Sequence, residues 1–192
     1  MSLVPAFEIG VWNTWIFMSS FLLQWLAVLL LGKRVWARSS LPSGIKRSKR
    51  EKITPLIGNS LWLLATIYSI FLPLRLGTLW FYIGLPVFLV GVIILAVATA
   101  NFATAPAEKP ATKGAYYFSR HPLYLSMLII YIGTGIASAS WVFILLGLAN
   151  IFWVRTEAIA EERYCLERYN KDYRDYMNKT PRWIGIPKSV EK

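Results

Sequence analysis

Most of the residues able to do chemistry in this chain fall in two short stretches. The first reads Gly114-Ala-Tyr116-Tyr-Phe-Ser-Arg120-His121-Pro122-Leu-Tyr124. Pro122 biases the residue before it away from the α region and itself suits the first position of a helix, so His121 reads as a helix N-cap. The free N–H groups of that helix start, with Arg120 beside them, form a ready anion site. The plainer reading is an Arg-His pair at a membrane interface, with Arg120 on a lipid phosphate. The second stretch opens at Arg155 and holds Glu157, Glu161 and Glu162. None of these has a basic residue three or four positions away, and Glu157 and Glu161 repel each other at a spacing of four. By contrast, Glu167 has Arg163 and Lys171 at that spacing, Asp172 has Arg168, and Asp175 has Lys171 and Lys179, which are ordinary solvated pairs. The first three carboxylates therefore need a cation from elsewhere, either an Arg or Lys of another loop or a cationic ligand.

The elements that must position these residues are apolar. The chain has 192 residues, 56% of them hydrophobic, against about 45–50% in a soluble domain, and its mean hydropathy is +0.46. The excess lies in long runs over about 11–31, 56–74 and 79–102, each the length of a membrane span. A fourth run, Leu123–Val154, is too long for one span. It suits a helical hairpin over about 123–137 and 140–154, with the small residues from Gly133 to Ser140 at its middle. The reading is an all-α integral membrane protein of about five transmembrane helices, with a C-terminal hairpin and a cytoplasmic tail helix over about 155–178. It forms one domain over 1–192, without a separate soluble catalytic domain; a four-span variant with half of the hairpin re-entrant is the alternative. The first run lacks a basic segment before it and is followed directly by Lys33 and Arg34, unlike a cleaved signal peptide. Cys165 is the only cysteine, which excludes an intramolecular disulfide.

Polar residues are scarce within the runs. They contain no acid, which argues against a proton or ion path, and Asn13, Gln24, Asn59 and Asn150 are expected to hydrogen-bond between helices. In the tail, Leu166, Tyr169, Tyr173 and Tyr176 recur every three or four residues and form a packing stripe.

Charge sets the orientation. The formal charge is +11, but the basic residues sort by loop: eight in Lys33–Lys52, three in Lys109–Arg120, nine in Arg155–Lys192, and only Arg75 in an outer loop. With five spans those three segments share one side, the cytoplasmic one, leaving the N-terminus outside and the C-terminus inside. The bias signals topology and attraction to lipid headgroups, not nucleic-acid binding.

The two stretches resemble the isoprenylcysteine carboxyl methyltransferase family, including its short prokaryotic members and the related phospholipid methyltransferases. The shared pattern is Gly114, Tyr116, Arg120, His121, Pro122 and Tyr124, a hairpin, then Glu161 and Glu162, followed by Tyr169, Tyr173, Tyr176, Pro181 and Arg182. It covers roughly Asn101 to Pro187. Two positions depart: the family commonly has Gly at the position of Asn170, and often where this chain has Ser126.

The resemblance implies S-adenosylmethionine as methyl donor, held by Gly114, Tyr116, His121, Pro122, Tyr124, Glu161 and Glu162, with no metal. Glu161 and Glu162 would meet its cationic groups or ribose hydroxyls, Arg120 and His121 a carboxylate, and the tyrosines its adenine or sulfonium. Methyl transfer from an activated methyl needs alignment more than an acid or base, so Arg120 and Arg182 would act by orienting an anionic acceptor. That acceptor is expected to be lipophilic, a prenylcysteine-like or lipid carboxylate, thiol or amine from the bilayer. It would lie between the fourth and fifth spans along Ser126, Ile130, Gly133, Ile144 and Gly147. Sterol reductases that use NADPH share Arg-His-Pro and a similar Tyr-rich tail but are larger; a non-enzymatic membrane scaffold is the third reading. Oligomeric state is not readable.

Overall fold

A computed structural model describes residues 7–32, Val35 and 48–187. Of the basic segment Lys33–Lys52, Lys33, Arg34, Arg38, Lys46 and Arg47 lie outside the described residues, as do Lys188 and Lys192.

Among the described residues the fold is wholly helical: α1 Trp15–Leu30, α2 Lys49–Phe71, α3 Leu79–Thr104, α4 Ala115–Phe118, α5 Pro122–Ala137 and α6 Trp141–Lys179. Three of them, α2, α3 and α6, are long and apolar enough to cross a membrane. Helices α1 and α5 are apolar but have 16 residues each, about 24 Å of rise against a hydrocarbon core of about 30 Å. Helix α1 begins later than its apolar run because the residues before it are tied to the end of α2: Thr14 N donates to Leu72 O (2.9 Å) and Leu74 N to Trp12 O (2.9 Å). Helix α2 begins earlier than its run because Ser48 and Glu51 form a reciprocal capping box.

Small residues let α3 and α5 approach closely. A Cβ on Gly84 would strike the backbone of Ala137, one on Gly133 the backbone of Phe88, and one on Gly91 would lie 2.8 Å from Ile130. This is the small-residue contact expected of helices in lipid. It corrects one expectation: Ile130 and Gly133 face α3 rather than the last helix. Gly147 of α6 does face α5, against Tyr131. Around these contacts Phe17, Phe21, Phe88, Tyr131 and Phe143 form the larger core, with Phe17 stacked on Phe88 at 3.9 Å.

The polar residues of the apolar runs behave differently from one another. Asn13 Nδ2 donates to Ile70 O of α2 (2.6 Å), but Asn150 Nδ2 bonds within its own helix to Leu146 O. Asn59 is exposed, and Gln24 faces a cavity.

The hairpin turn at Ser138–Ser140 lies at the same end as the α2–α3 loop, where Arg75 N donates to Ala137 O (3.0 Å). The α3–α4 loop, the start of α5, the start of α2 and the polar half of α6 gather at the other end. A smaller core of Ala98, Tyr116, Tyr173 and Tyr176 sits there. Helix α6 is continuous from the hairpin except at Asn170, whose φ of 49° and ψ of −115° break the helical path. The break turns the last two turns back over α4.

Candidate active site

Glycine 114 opens the site. Its φ is +62°, and a Cβ there would strike the Asn101 side chain, whose Oδ1 accepts from Ala115 N (2.9 Å). Only glycine satisfies both demands. The single turn of α4 that follows buries Tyr116, and Tyr176 Oη donates to Tyr116 O (2.6 Å). The residues after α6 then run back along the α4–α5 loop. Arg120 N donates to Pro181 O (3.0 Å) and Gly185 N to Phe118 O (3.2 Å), while Ser119 Oγ donates to Arg182 O. This strap carries Arg182 to the start of α5, 62 positions beyond Arg120 in sequence.

His121 occupies the N-cap position of α5 and Pro122 its first turn, but the His121 side chain makes no cap hydrogen bond. It faces two carboxylates instead, with Nε2 3.2 Å from Glu162 Oε1 and Nδ1 3.4 Å from Glu161 Oε2. Glu162 is a hub. Arg182 forks onto it, Nε donating to Oε1 (2.9 Å) and Nη2 to Oε2 (2.7 Å), and Arg120 Nη2 lies 3.2 Å from Oε1. The Glu162 side chain is 5% exposed and that of Arg120 10%. Tyr124 Oη donates to Glu161 Oε1 (2.6 Å). Burial pushes the His121 imidazole down, but Glu161 and Glu162 outweigh it and hold the imidazole above its ordinary 6.5. Burial likewise pushes Glu162 up; the bonds from His121 and Arg182 and the charge of Arg120 outweigh it and bring its carboxyl to about 2. With His121 protonated, three cations face Glu161 and Glu162, and a third carboxylate, the buried Glu157, acts on Tyr124 beside them. Arg120 Nε is buried with no hydrogen-bond partner among the described residues.

Beside the cluster lies a cavity of about 310 Å³. It is lined by Arg168, Tyr164, Tyr169 and Pro110, by Arg120, His121, Tyr124, Glu161 and Tyr116, and, along the helices away from the charged end, by a floor of Val28, Leu95, Met127 and Gln24. A second cavity of about 240 Å³ opens between α5 and α6 along Leu125, Leu128, Gly147 and Ile151, with Trp183 of the strap at one end. Tyr124 and Met127 line both.

Of the residues singled out in the sequence, Tyr116, Arg120, His121, Tyr124 and Glu161 therefore line one cavity. Glu162 and Arg182 stand behind that wall as the pair that fixes Arg120 and His121. Gly114 and Pro122 do not line it; they shape the loop and helix start. None of the solvated ion pairs expected along the tail helix closes among the described residues. Arg163 instead donates to both oxygens of Glu51 on α2 (3.0 and 3.1 Å), and Arg168 donates to Tyr164 Oη (2.7 Å) and lies over the Tyr169 ring at 5.3 Å. A two-pronged contact across helices outcompetes an exposed pair along one helix. The tyrosine stripe packs as expected and also lines the cavity. Gln24, Thr99, Phe102 and Trp183 went unread as site residues, because they come from helices and a strap that only the tertiary fold brings together. Gln24 alone carried a signal, as an amide in an apolar helix.

The cavity also fits a charged, aromatic cofactor. Arg120, with its orphaned Nε, suits a carboxylate, Glu161 suits a cation or hydroxyl, and the tyrosine rings suit a flat heterocycle. No curated protein matches the chain. The family model for phospholipid methyltransferases matches residues 74–172, more than half of the 192, covering α3, α4, α5 and α6 as far as Asp172. That family includes the isoprenylcysteine carboxyl methyltransferase-like proteins, and this membrane chain belongs to the phospholipid methyltransferase family.

Proposed function

We propose that the chain transfers the methyl group of S-adenosylmethionine to a lipophilic acceptor drawn from the bilayer. The observation that carries this reading is the pair of adjoining cavities: one lined by charges and aromatic rings, one almost wholly by apolar side chains, with Tyr124 and Met127 common to both. When bound, the cofactor supplies an activated methyl on its sulfonium. Arg120, on the cavity wall, would hold a carboxylate of the cofactor, and His121 would add its charge. Glu161 accepts from hydroxyls or faces a cation, and the tyrosines exclude water. Glu162 and Arg182 keep Arg120 and His121 in register. The apolar cavity takes the acceptor's tail, so that its head arrives at Tyr124, and alignment supplies most of the rate.

The accompanying topology is five spans, with α1 and α5 as the two short ones. The N-terminus is outside, and the site and C-terminus are cytoplasmic.

Purified protein is expected to bind S-adenosylmethionine and not NADPH, and to pass a labelled methyl to a component of a membrane lipid extract. Glu161→Gln should weaken cofactor binding roughly tenfold or more, as loss of a charged hydrogen bond does. Glu167→Gln, exposed and outside both cavities, should leave it unchanged. Binding of NADPH alone would make the protein a reductase; binding of neither would make it a scaffold.

A further inference from the structure

Helix α1 lies outside the family-matched residues, yet it supplies Gln24 and Val28 to the main cavity. Its start is tied to the α2–α3 end, where Thr14 bonds Leu72, and Phe17 stacks on Phe88 in the middle of α3. Gln24 therefore sits a turn deeper than Val28, on the cavity floor opposite Leu95 and Met127. It is the only polar side chain of α1 that lines the cavity, and it makes no hydrogen bond among the described residues. The charged groups, Arg120, His121, Glu161 and Arg168, all come from the other end.

Gln24 is half-buried and its amide is open to the cavity, so a ligand group that reaches it can take both of its hydrogen bonds. A charged ligand group belongs with the ionic cluster, so what reaches the floor is neutral and flat enough for apolar walls. Gln24 offers a donor and an acceptor side by side, the complement of the amino and ring-nitrogen edge of adenine. The acceptor reaches Tyr124 from the α5–α6 cavity, which Gln24 does not line. Resting on the methyltransferase reading above, we infer that Gln24 recognises the adenine edge of the cofactor, and that α1 thereby sets specificity for the nucleoside base.

The test compares two probes on the full chain in lipid nanodiscs: S-adenosylhomocysteine, and the same compound with the 6-amino group replaced by hydrogen. Wild-type protein should bind the first about tenfold more tightly, the value of one good hydrogen bond. Gln24→Met, similar in length but unable to bond, should lose that preference by weakening the first probe alone; Gln24→Leu serves if the methionine variant does not purify. Wild-type protein indifferent to the amino group, or a variant that keeps the preference, would overturn the assignment while leaving the methyltransferase reading intact. Wild-type protein that binds neither probe would overturn both.

Discussion

Glu162 meets more charge than any other side chain of the site. Arg120, Arg182 and His121 all converge on its two oxygens, and removing the carboxylate would leave three cations facing one another in a mostly dry site. Breaking a buried pair from one side costs about 3–5 kcal/mol. Glu162→Gln should therefore lower the melting temperature well below that of Glu161→Gln, whose side chain is 33% exposed, as followed by thermal unfolding in detergent. The same cluster sets a pH window. Glu162 is lowered from 4.5 to about 2, so its contribution is full above pH 4.5 and lost as pH falls toward 2. His121 is raised above 6.5, so its contribution is full below pH 6.5 and lost as pH climbs through the folded value. Stability should peak between about pH 4.5 and 6.5, and His121→Gln should remove the alkaline limb and also shallow the acid one, because His121 is one of the groups that hold Glu162 down. The need for a partner was legible in the sequence, since neither Glu161 nor Glu162 has a cation at helical spacing. The identity of the partner was not. Arg182 lies twenty residues on and reaches Glu162 only because the chain breaks its helix and doubles back.

That doubling back depends on one residue of α6. The tyrosine stripe keeps its three-and-four spacing straight through position 170, so periodicity read the tail as an unbroken helix. Polarity patterns report which face is apolar, and a rigid turn between two helical segments leaves the faces alternating as before. Asn170 holds a φ of 49°, in a region glycine enters freely and asparagine tolerates better than most. Such backbone costs about 1–3 kcal/mol in a residue with a Cβ. Asn170→Gly should raise stability by about 1 kcal/mol after glycine's own entropy cost. Asn170→Val should lower it, and should also loosen Arg182 from Glu162, because the strap would then be launched at the wrong angle. Equal melting temperatures for the three proteins would mean that the bend is carried elsewhere. The hairpin was more legible than the bend, because small residues clustered at its tip; the partner of α5 was less so. Gly133 could have faced either neighbour, and the close approach of Phe88 settles it in favour of α3.

At the scale of the whole molecule, charge sorting and cavity shape make separate claims. The described basic loops lie at the end that carries the site, and Arg75 lies at the other. In a protein lacking Cys165, a cysteine at Lys113 should resist an impermeant thiol reagent in intact cells, while one at Leu76 should label; the reverse pattern would invert the topology. The apolar cavity makes the sharper claim. Its walls between Gly147 and Trp183 are nearly all apolar, so lengthening an acceptor's tail should raise kcat/KM by up to about 0.8 kcal/mol for each buried CH₂ until the space is filled. Gly147 lines that space and Gly133 does not. A Cβ on Gly147 would nonetheless lie 2.7 Å from Tyr131 Cβ, so the cleaner variant is Ile151→Trp, which fills the same space and should penalise long-tailed acceptors more than short ones at unchanged cofactor affinity. Gly133→Leu, driven into the α3 backbone, should destabilise the bundle and reduce turnover of every acceptor alike. If short water-soluble acceptors are methylated as efficiently as long-tailed ones, and Ile151→Trp makes no distinction between them, the apolar cavity takes no part in acceptor binding and the site is served from the Arg168 side.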